Sequence, residues 1–304
     1  MCAVIVTYHP DPERLLHVVQ AVRRAADHMV IIDNGSNEFD ETALRSANPA
    51  LVLCKLQTNT GIAAAQNEGV RVAKARGATY VLFLDQDSVP QETMVSCLRS
   101  TLERLEAEGQ KVACVGPRVR LPGTHKVADF ARPGWLLRRR LPCPHATAAV
   151  ECDFLISSGS LVSLKTMDEV GPMEEGLFID QVDTEWCLRA RAAGYRVYGA
   201  CGAVLDHRLG DSANRLWFGR WRRLPRHQAF RYYYIFRNTV LLFRRRYVSF
   251  KWILFQLRWL CALFLLYGIL NRHRHGELRM MLKGIADGIR GVTGKLEHPM
   301  ARHA

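Results

Sequence analysis

Through the first half of the chain, short runs of wholly apolar residues alternate with segments whose apolar positions recur every three or four residues. The runs at 4–7, 29–33, 51–55 and 80–84 read as buried strands, and the segments 13–26, 62–76 and 92–108 as amphipathic helices. A strand at 113–116 follows. The stretch 117–150, rich in Pro, Gly and Arg and without a period, reads as irregular surface structure or a flexible edge hairpin. Periodicity returns at Cys152 with an apolar strand, a helix start at 163–170, a helix over 183–193 and a strand over 196–200.

This order of strands and helices predicts an α/β fold, a mostly parallel, Rossmann-like sheet flanked by helices. Ligands of such sheets collect beyond the carboxyl ends of the strands, which makes the residues at those ends the candidates for chemistry. Past His207 the pattern changes: Arg215, Arg220, Arg222, Arg223 and Arg226 stand among Trp217 and Trp221, and Arg231 and Arg237 among Tyr232, Tyr233, Tyr234 and Phe236. The segment 252–270 is apolar except for Gln256 and Arg258. Residues 1–210 therefore read as one domain and 211–304 as a helical, basic and aromatic extension.

The apolar fraction of 48% supplies a full core and excludes a disordered chain. Lys and Arg number 42 against 29 Asp and Glu, a net charge of +13, so anionic partners are implied: nucleic acid, acidic lipid or a nucleotide diphosphate. None of the 9 cysteines forms a C-x-x-C pair, which argues against a structural zinc site and for reduced thiols in a cytosolic protein. The N-terminus shows no cleavable apolar leader, and secretion is not indicated.

The sharpest chemical signal is Val81-Leu82-Phe83-Leu84-Asp85-Gln86-Asp87, an apolar strand ending in two carboxylates. Strand alternation would turn Asp85 and Asp87 to one side, where two hard oxygen donors suit Mg²⁺ or Mn²⁺ bridging to a diphosphate. Asp33, at another strand end, is placed to accept from the N–H of a pyrimidine, with Thr7 and Tyr8 lining the same pocket. Asn59, Gly61 and Asn67 belong to a turn and helix start whose amides suit a phosphate or ribose. Asp183, at a helix start, is a candidate general base, and His207 a candidate third metal ligand or diphosphate contact. Each has an ordinary structural alternative: a turn at Asp33, a capped helix after Gly61, or a helix cap at Asp183 beside a Glu185–Arg189 ion pair.

As an ordered set these residues resemble the family 2 glycosyltransferases of GT-A fold, and within them bacterial rhamnosyltransferases. The resemblance rests on Val6-Thr7-Tyr8, Ile32-Asp33-Asn34-Gly35-Ser36, Asn59-Thr60-Gly61, Asn67-Glu68-Gly69, Leu84-Asp85-Gln86-Asp87-Ser88, Phe154-Leu155-Ile156-Ser157-Ser158-Gly159, Phe178-Ile179-Asp180-Gln181-Val182-Asp183-Thr184-Glu185 and His207-Arg208-Leu209-Gly210. It extends over roughly residues 3 to 240 and takes in the Arg-Tyr-Tyr-Tyr-x-x-Arg-Asn stretch ending at Asn238.

It implies an inverting transfer of a sugar, L-rhamnose from dTDP-L-rhamnose, to a lipid-linked or other glycan acceptor. Residues 1–115 would form the nucleotide-sugar half and 150–210 the acceptor half. Asp33 would read the base, Asp85 and Asp87 would form the D-x-D metal motif with His207, and Asp183 would be the catalytic base. Ser157, Ser158 and Gly159 would meet donor sugar or acceptor. Many relatives carry Glu-Asp at the base position where this chain has Val182-Asp183, which keeps Asp180 and Glu185 as second choices.

The extension fits the cytoplasmic face of an anionic membrane as a helix or helix pair in the interface, with a buried helix, an oligomer contact or a span as alternatives for 252–270. Arg258 opposes the span. Two rival functions are a nucleotidyltransferase and a non-catalytic basic binder of membrane or nucleic acid. The first lacks a glycine-rich, basic phosphate loop after the first strand, and the second leaves the strand-end acids without a use. No nucleic-acid partner is expected.

Overall fold

The computed structural model describes residues 1–37, 41–120, 126–134, 139–206, 212–217, 221–269 and 274–297. The chain opens with β1 (Cys2–Thr7), α1 (Pro12–Val22), β2 (His28–Asp33), α2 (Thr42–Ala47), β3 (Val52–Lys55), α3 (Ile62–Ala75) and β4 (Tyr80–Asp85). Then come β5 (Val89–Pro90), α4 (Met94–Ala107), β6 (Val112–Arg120), β7 (Phe130–Arg132), β8 (Arg139–Leu141), β9 (Ala149–Cys152), β10 (Leu161–Ser163) and α5 (Leu164–Val170). The order ends α6 (Val182–Ala192), β11 (Arg196–Asp206), β12 (Ser212–Trp217), β13 (Trp221–Arg226), α7 (Ala229–Phe243), α8 (Phe250–Leu263) and α9 (Arg274–Arg290).

Two compact units divide the chain. The first holds Met1–Pro133, Arg138–Glu175 and Val182–Arg208; the second holds Gly134–Leu137, Gly176–Gln181 and Leu209–Ala304. The division departs from a single cut at 210, because the short stretch before α6 groups with the C-terminal helices.

In the first unit a mixed sheet runs in the order β3-β2-β1-β4-β10-β6-β11-β5, with β9 added on β11. β3, β2, β1 and β4 are mutually parallel, and β10 is inserted antiparallel between β4 and β6. All six residues of β1 are buried, as a central strand covered on both faces requires. Ala3 and Ile5 join Leu15, Val18, Leu98 and Leu102 of α1 and α4 in one core layer. Val4 turns to the opposite face, where α3 crosses so closely that a Cβ on Gly69 would come within 2.2 Å of Val4 Cγ1. The start of α1 is fixed by Asp11, whose Oδ1 accepts from the amides of Glu13 and Arg14, and by Pro12 in the first turn.

Several expectations change. Residues 154–156 are loop rather than strand, and the strand of this region is β10. Within 117–150, β7 and β8 pair antiparallel as the hairpin alternative has it, while β9 joins the main sheet. Cys143 and Cys201 form a disulfide across 58 residues, so the cysteines are not all reduced thiols; only the fold brings these two within a Cα separation of 5.5 Å. The segment expected as interfacial helix begins instead as the hairpin β12–β13, with Trp217 opposite Trp221. Pro225 bars a helix interior there, and the tryptophans favour strand.

In the second unit α7, α8 and α9 share a core of Tyr232, Phe236, Leu260, Leu263, Tyr267 and Met281. α9 meets α7 backbone to backbone: a Cβ on Gly284 would lie 2.5 Å from the Tyr233 carbonyl oxygen, and one on Gly288 2.8 Å from that of Arg237.

Candidate active site

Parallel register brings three strand ends to one level, with Thr7 opposite Asp33 and Val6 opposite Asp85. Asp33 is 1% exposed and held by its neighbours: Oδ1 accepts from Thr7 Oγ1 at 3.0 Å and Ser36 Oγ at 2.6 Å, and Oδ2 accepts from the Ser36 amide at 3.0 Å. Oδ2 keeps one lone-pair direction for a further donor. Thr7 is itself buried and donates to Asp33, so it orients the carboxylate instead of lining an open pocket as the sequence suggested. Tyr8, the next residue, is 45% exposed.

β4 ends at Asp85, and Gln86 and Asp87 occupy the middle of a turn closed by the Ser88 amide donating to the Asp85 carbonyl at 3.2 Å. Strand alternation therefore does not govern Asp87. Both carboxylates are half-buried. Gln86 lies between them and accepts from the Tyr8 amide at 2.7 Å, tying the β1 and β4 ends together. Gln86 and Ser36 were missed as site-shaping residues; their signal was adjacency to the acids they serve.

Asp206, the last residue of β11, pairs with Val89, two positions beyond Asp87. His207 follows and lies outside the described residues, as do Arg208, Leu209 and Gly210. Among the described residues, no three His, Cys, Asp or Glu side chains form a metal-ligand group.

The segment after β9 crosses this edge. Ser158 Oγ accepts from the Asp85 amide at 3.2 Å and donates to Ser88 Oγ at 2.7 Å, while the Gly159 amide donates to the Phe83 carbonyl at 2.7 Å. Gly159 has φ +82°, and a Cβ there would meet Pro117 at 2.6 Å, so no other residue fits this crossing. One position earlier, the Ser157 amide donates to Asp183 Oδ2 at 3.2 Å. Two successive residues thus join Asp183 to Asp85, which limits the distance from the Asp183 carboxylate to the Asp85 amide to about 14 Å.

Asp183 sits in the first turn of α6, half-buried, with Oδ1 also accepting from the Thr184 amide at 2.7 Å. Behind it a cavity of about 10 Å³ is lined by Phe83, Leu155, Trp186 and the thiols of Cys114 and Cys187. The Cys114 thiol is held well above its ordinary pKa, first by its contact with Cys187 and then by burial, so the wall behind the carboxylate stays neutral.

The two second-choice bases are committed elsewhere. Glu185, 1% exposed, holds Arg189 through both oxygens at 2.8 and 2.9 Å, and Arg189 also donates to the Val170 and Pro172 carbonyls. Asp180 belongs to the second unit, where it makes the same two-point contact with Arg231, at 2.6 and 3.3 Å. Asn67, expected at the nucleotide, gives both amide hydrogens to the Met173 carbonyl and Glu175 and accepts from the Met173 amide; it fastens α3 to the segment leading toward α6. Asn59 shapes the turn before α3, its Oδ1 accepting from Asn34 and from the Gly61 amide.

A family described as glycosyl transferase family 2 matches residues 2–161. The chain belongs to that family. It is 30% identical to the "dTDP-rhamnosyl transferase RfbF" of Shigella flexneri over 298 residues, 96% of each chain. Among solved structures it is similar to GalNAc-T7, determined with UDP, GalNAc and Mn²⁺, at TM-score 0.57 and 16% identity over 68% of this chain and 42% of that one. It is also similar to residues 1–349 of S. aureus TarS, at TM-score 0.56 and 14% identity over 96% and 80% of the two chains. The glycosyltransferase is therefore rhamnosyltransferase-like, on a GT-A-like fold, and its donor is a nucleotide sugar. The nucleotidyltransferase and non-catalytic alternatives fall away.

Proposed function

We propose that this enzyme transfers L-rhamnose from dTDP-L-rhamnose, with inversion, to a lipid-linked or other glycan acceptor at the cytoplasmic face of a membrane. The observation that carries the mechanism is the Ser157–Ser158 link between the Asp183 carboxylate and the Asp85 strand end. Asp183 is the general base: it takes the proton of an acceptor hydroxyl as that oxygen bonds to the anomeric carbon and the bond to the diphosphate breaks. Asp33, oriented by Thr7 and Ser36, faces the thymine ring N–H.

Asp85 and Asp87 are oxygen donors of the kind that share Mg²⁺ or Mn²⁺ with substrate phosphates, so the donor set fits such an ion, with His207 as a further ligand. Bound there, the cation supplies neutralisation of the charge on the departing diphosphate. The donor sugar is supported by the likeness to the rhamnosyl transferase across nearly the whole chain.

Membrane contact is supported by α8. Phe250–Gly268 is long and apolar enough to cross a membrane by length and composition, and most of it is not buried. Phe250, Leu257, Trp259 and Leu265 are exposed, and Arg258 lies among them. A cationic residue amid apolar ones suits a helix lying in the head-group region better than one spanning it.

The test is turnover of dTDP-L-rhamnose against UDP- and GDP-sugars, with and without Mg²⁺ or Mn²⁺, using membrane lipid extracts as acceptors. Rhamnose incorporation that requires the cation is the expected result. Preferred turnover of a UDP- or GDP-sugar would overturn the donor assignment.

A further inference from the structure

Within the second unit, the six residues Gly176–Gln181 hold a backbone that ordinary side chains avoid. Phe178, Asp180 and Gln181 all lie in the left-handed region, with φ of 64°, 62° and 64°. Such a cluster of non-glycine residues persists only where its surroundings over-determine it. The surroundings here are side chains of α7. Asn238 Nδ2 donates to the carbonyls of Leu177 at 2.9 Å, Ile179 at 2.7 Å and Asp180 at 2.9 Å. Arg237 donates to the Leu177 carbonyl at 3.0 Å, that of Gly176 at 3.2 Å and that of Gly294 at 2.6 Å. Its Nε also donates to Asn238 Oδ1 at 2.9 Å, which fixes the orientation of the Asn238 amide.

Both residues are 0% exposed, and Arg237 lies over the rings of Tyr233 and Tyr234. Arg231 adds its two-point contact to Asp180, and Gln181 Nε2 donates to Thr239 Oγ1 at 3.1 Å. The loop ends at Gln181, and the next two residues of the chain are Val182 and Asp183, the first turn of α6.

We propose that Arg237 and Asn238 are positioning residues for the transfer step: by imposing the left-handed loop they set the backbone conformation at Gln181 from which the first turn of α6, with Asp183 two residues on, starts. The inference rests on Asp183 being the base. It assigns a use to the Arg-Tyr-Tyr-Tyr-x-x-Arg-Asn stretch, whose arginines charge alone would give to lipid.

The experiment measures kcat, donor KM and melting temperature for Asn238→Ala and for Asn238→Asp, an isostere without the donor hydrogens, each also in an Asp183→Asn background. Misplacing the base predicts a kcat loss of about 10–100-fold with donor KM within about twofold of wild type. It also predicts no further loss when Asn238→Ala is added to Asp183→Asn. Gln181→Gly, which accepts φ near 64° without strain, is expected to restore part of the lost kcat in the Asn238→Ala enzyme.

If Asn238→Ala unfolds the protein, Gln181→Gly with Asn238→Asp supplies the same comparison. A wild-type kcat in folded Asn238 variants, or equal fractional losses in both backgrounds, would overturn the positioning role. Normal turnover by Asp183→Asn alone would instead overturn the base assignment, so the two failures are distinguishable.

Discussion

The Ser157 amide points at Asp183 Oδ2 from 3.2 Å, and the side chain of the next residue, Ser158, accepts from the amide of Asp85. A carboxylate on one helix is thereby indexed to the end of a strand nearly a hundred positions earlier in the chain. Asp183→Asn keeps one acceptor oxygen, enough for the Ser157 amide, and removes the basicity together with the second acceptor that takes the Thr184 amide hydrogen. Its kcat is expected to fall by about 10²–10⁴-fold with donor KM nearly unchanged, the signature of a lost proton acceptor. A comparable fall in donor affinity would show instead that Asp183 holds the nucleotide sugar.

Asp85 and Asp87 are predicted to act before chemistry. Adding dTDP with Mg²⁺ at about 100 times Kd stabilises the folded enzyme by about 2.7 kcal/mol, a rise of several degrees in Tm. The double change Asp85→Asn, Asp87→Asn is expected to abolish the Mg²⁺-dependent part of that rise. A metal increment unchanged in the double variant would exclude both as ligands.

Of the candidate acids, two stand out in the sequence because an apolar run stops at them: Asp33 after Val30-Ile31-Ile32, Asp85 after Val81-Leu82-Phe83-Leu84. What those runs do not encode is the partner of each polar group. Nothing local says that Thr7 donates to Asp33, or that Asn67 spends its amide on Met173 and Glu175, because these contacts join segments brought together only by sheet register and helix docking. Phe178 and Asp180 give no glycine or asparagine signal for a left-handed backbone; that conformation is imposed by Arg237 and Asn238, far along the chain. The disulfide between Cys143 and Cys201 was hidden for the same reason.

The close crossing of α3 over β1 yields a stability prediction. A Cβ at position 69 would lie 2.2 Å from Val4 Cγ1 and 3.2 Å from its Cβ and Cγ2. Both residues sit in the packed interior, so Gly69→Ala is expected to cost about 1–3 kcal/mol through overpacking despite alanine's better helix propensity. Val4→Ala removes the offending methyls. The Gly69→Ala, Val4→Ala protein should be more stable in urea than the sum of the two single losses allows. Strict additivity would mean that α3 shifts away instead of clashing.

The exposed face of α8 can be examined in a protein whose part-exposed Cys54 and Cys97 are replaced by serine, because Cys261 is exposed on it, one helical turn from Leu257. Burial pushes the Cys2 and Cys152 thiols up to about 11 and about 12, leaving roughly a thousandth or less of each as thiolate at pH 8. Cys114 is raised as well, by its contact with Cys187 and by burial. A charged, membrane-impermeant maleimide should therefore modify Cys261 rapidly in that folded protein and reach Cys2, Cys114 and Cys152 only after unfolding. If α8 rests in the head-group layer, vesicles rich in phosphatidylglycerol will slow the Cys261 reaction, while neutral phosphatidylcholine vesicles will do so far less, because cationic residues such as Arg258 supply part of the attraction. Protection should weaken as salt is raised, since the lipid charge is screened within about 10 Å at 0.1 M. Equal labelling rates with and without anionic vesicles would remove the membrane from this face and leave another protein surface as its partner.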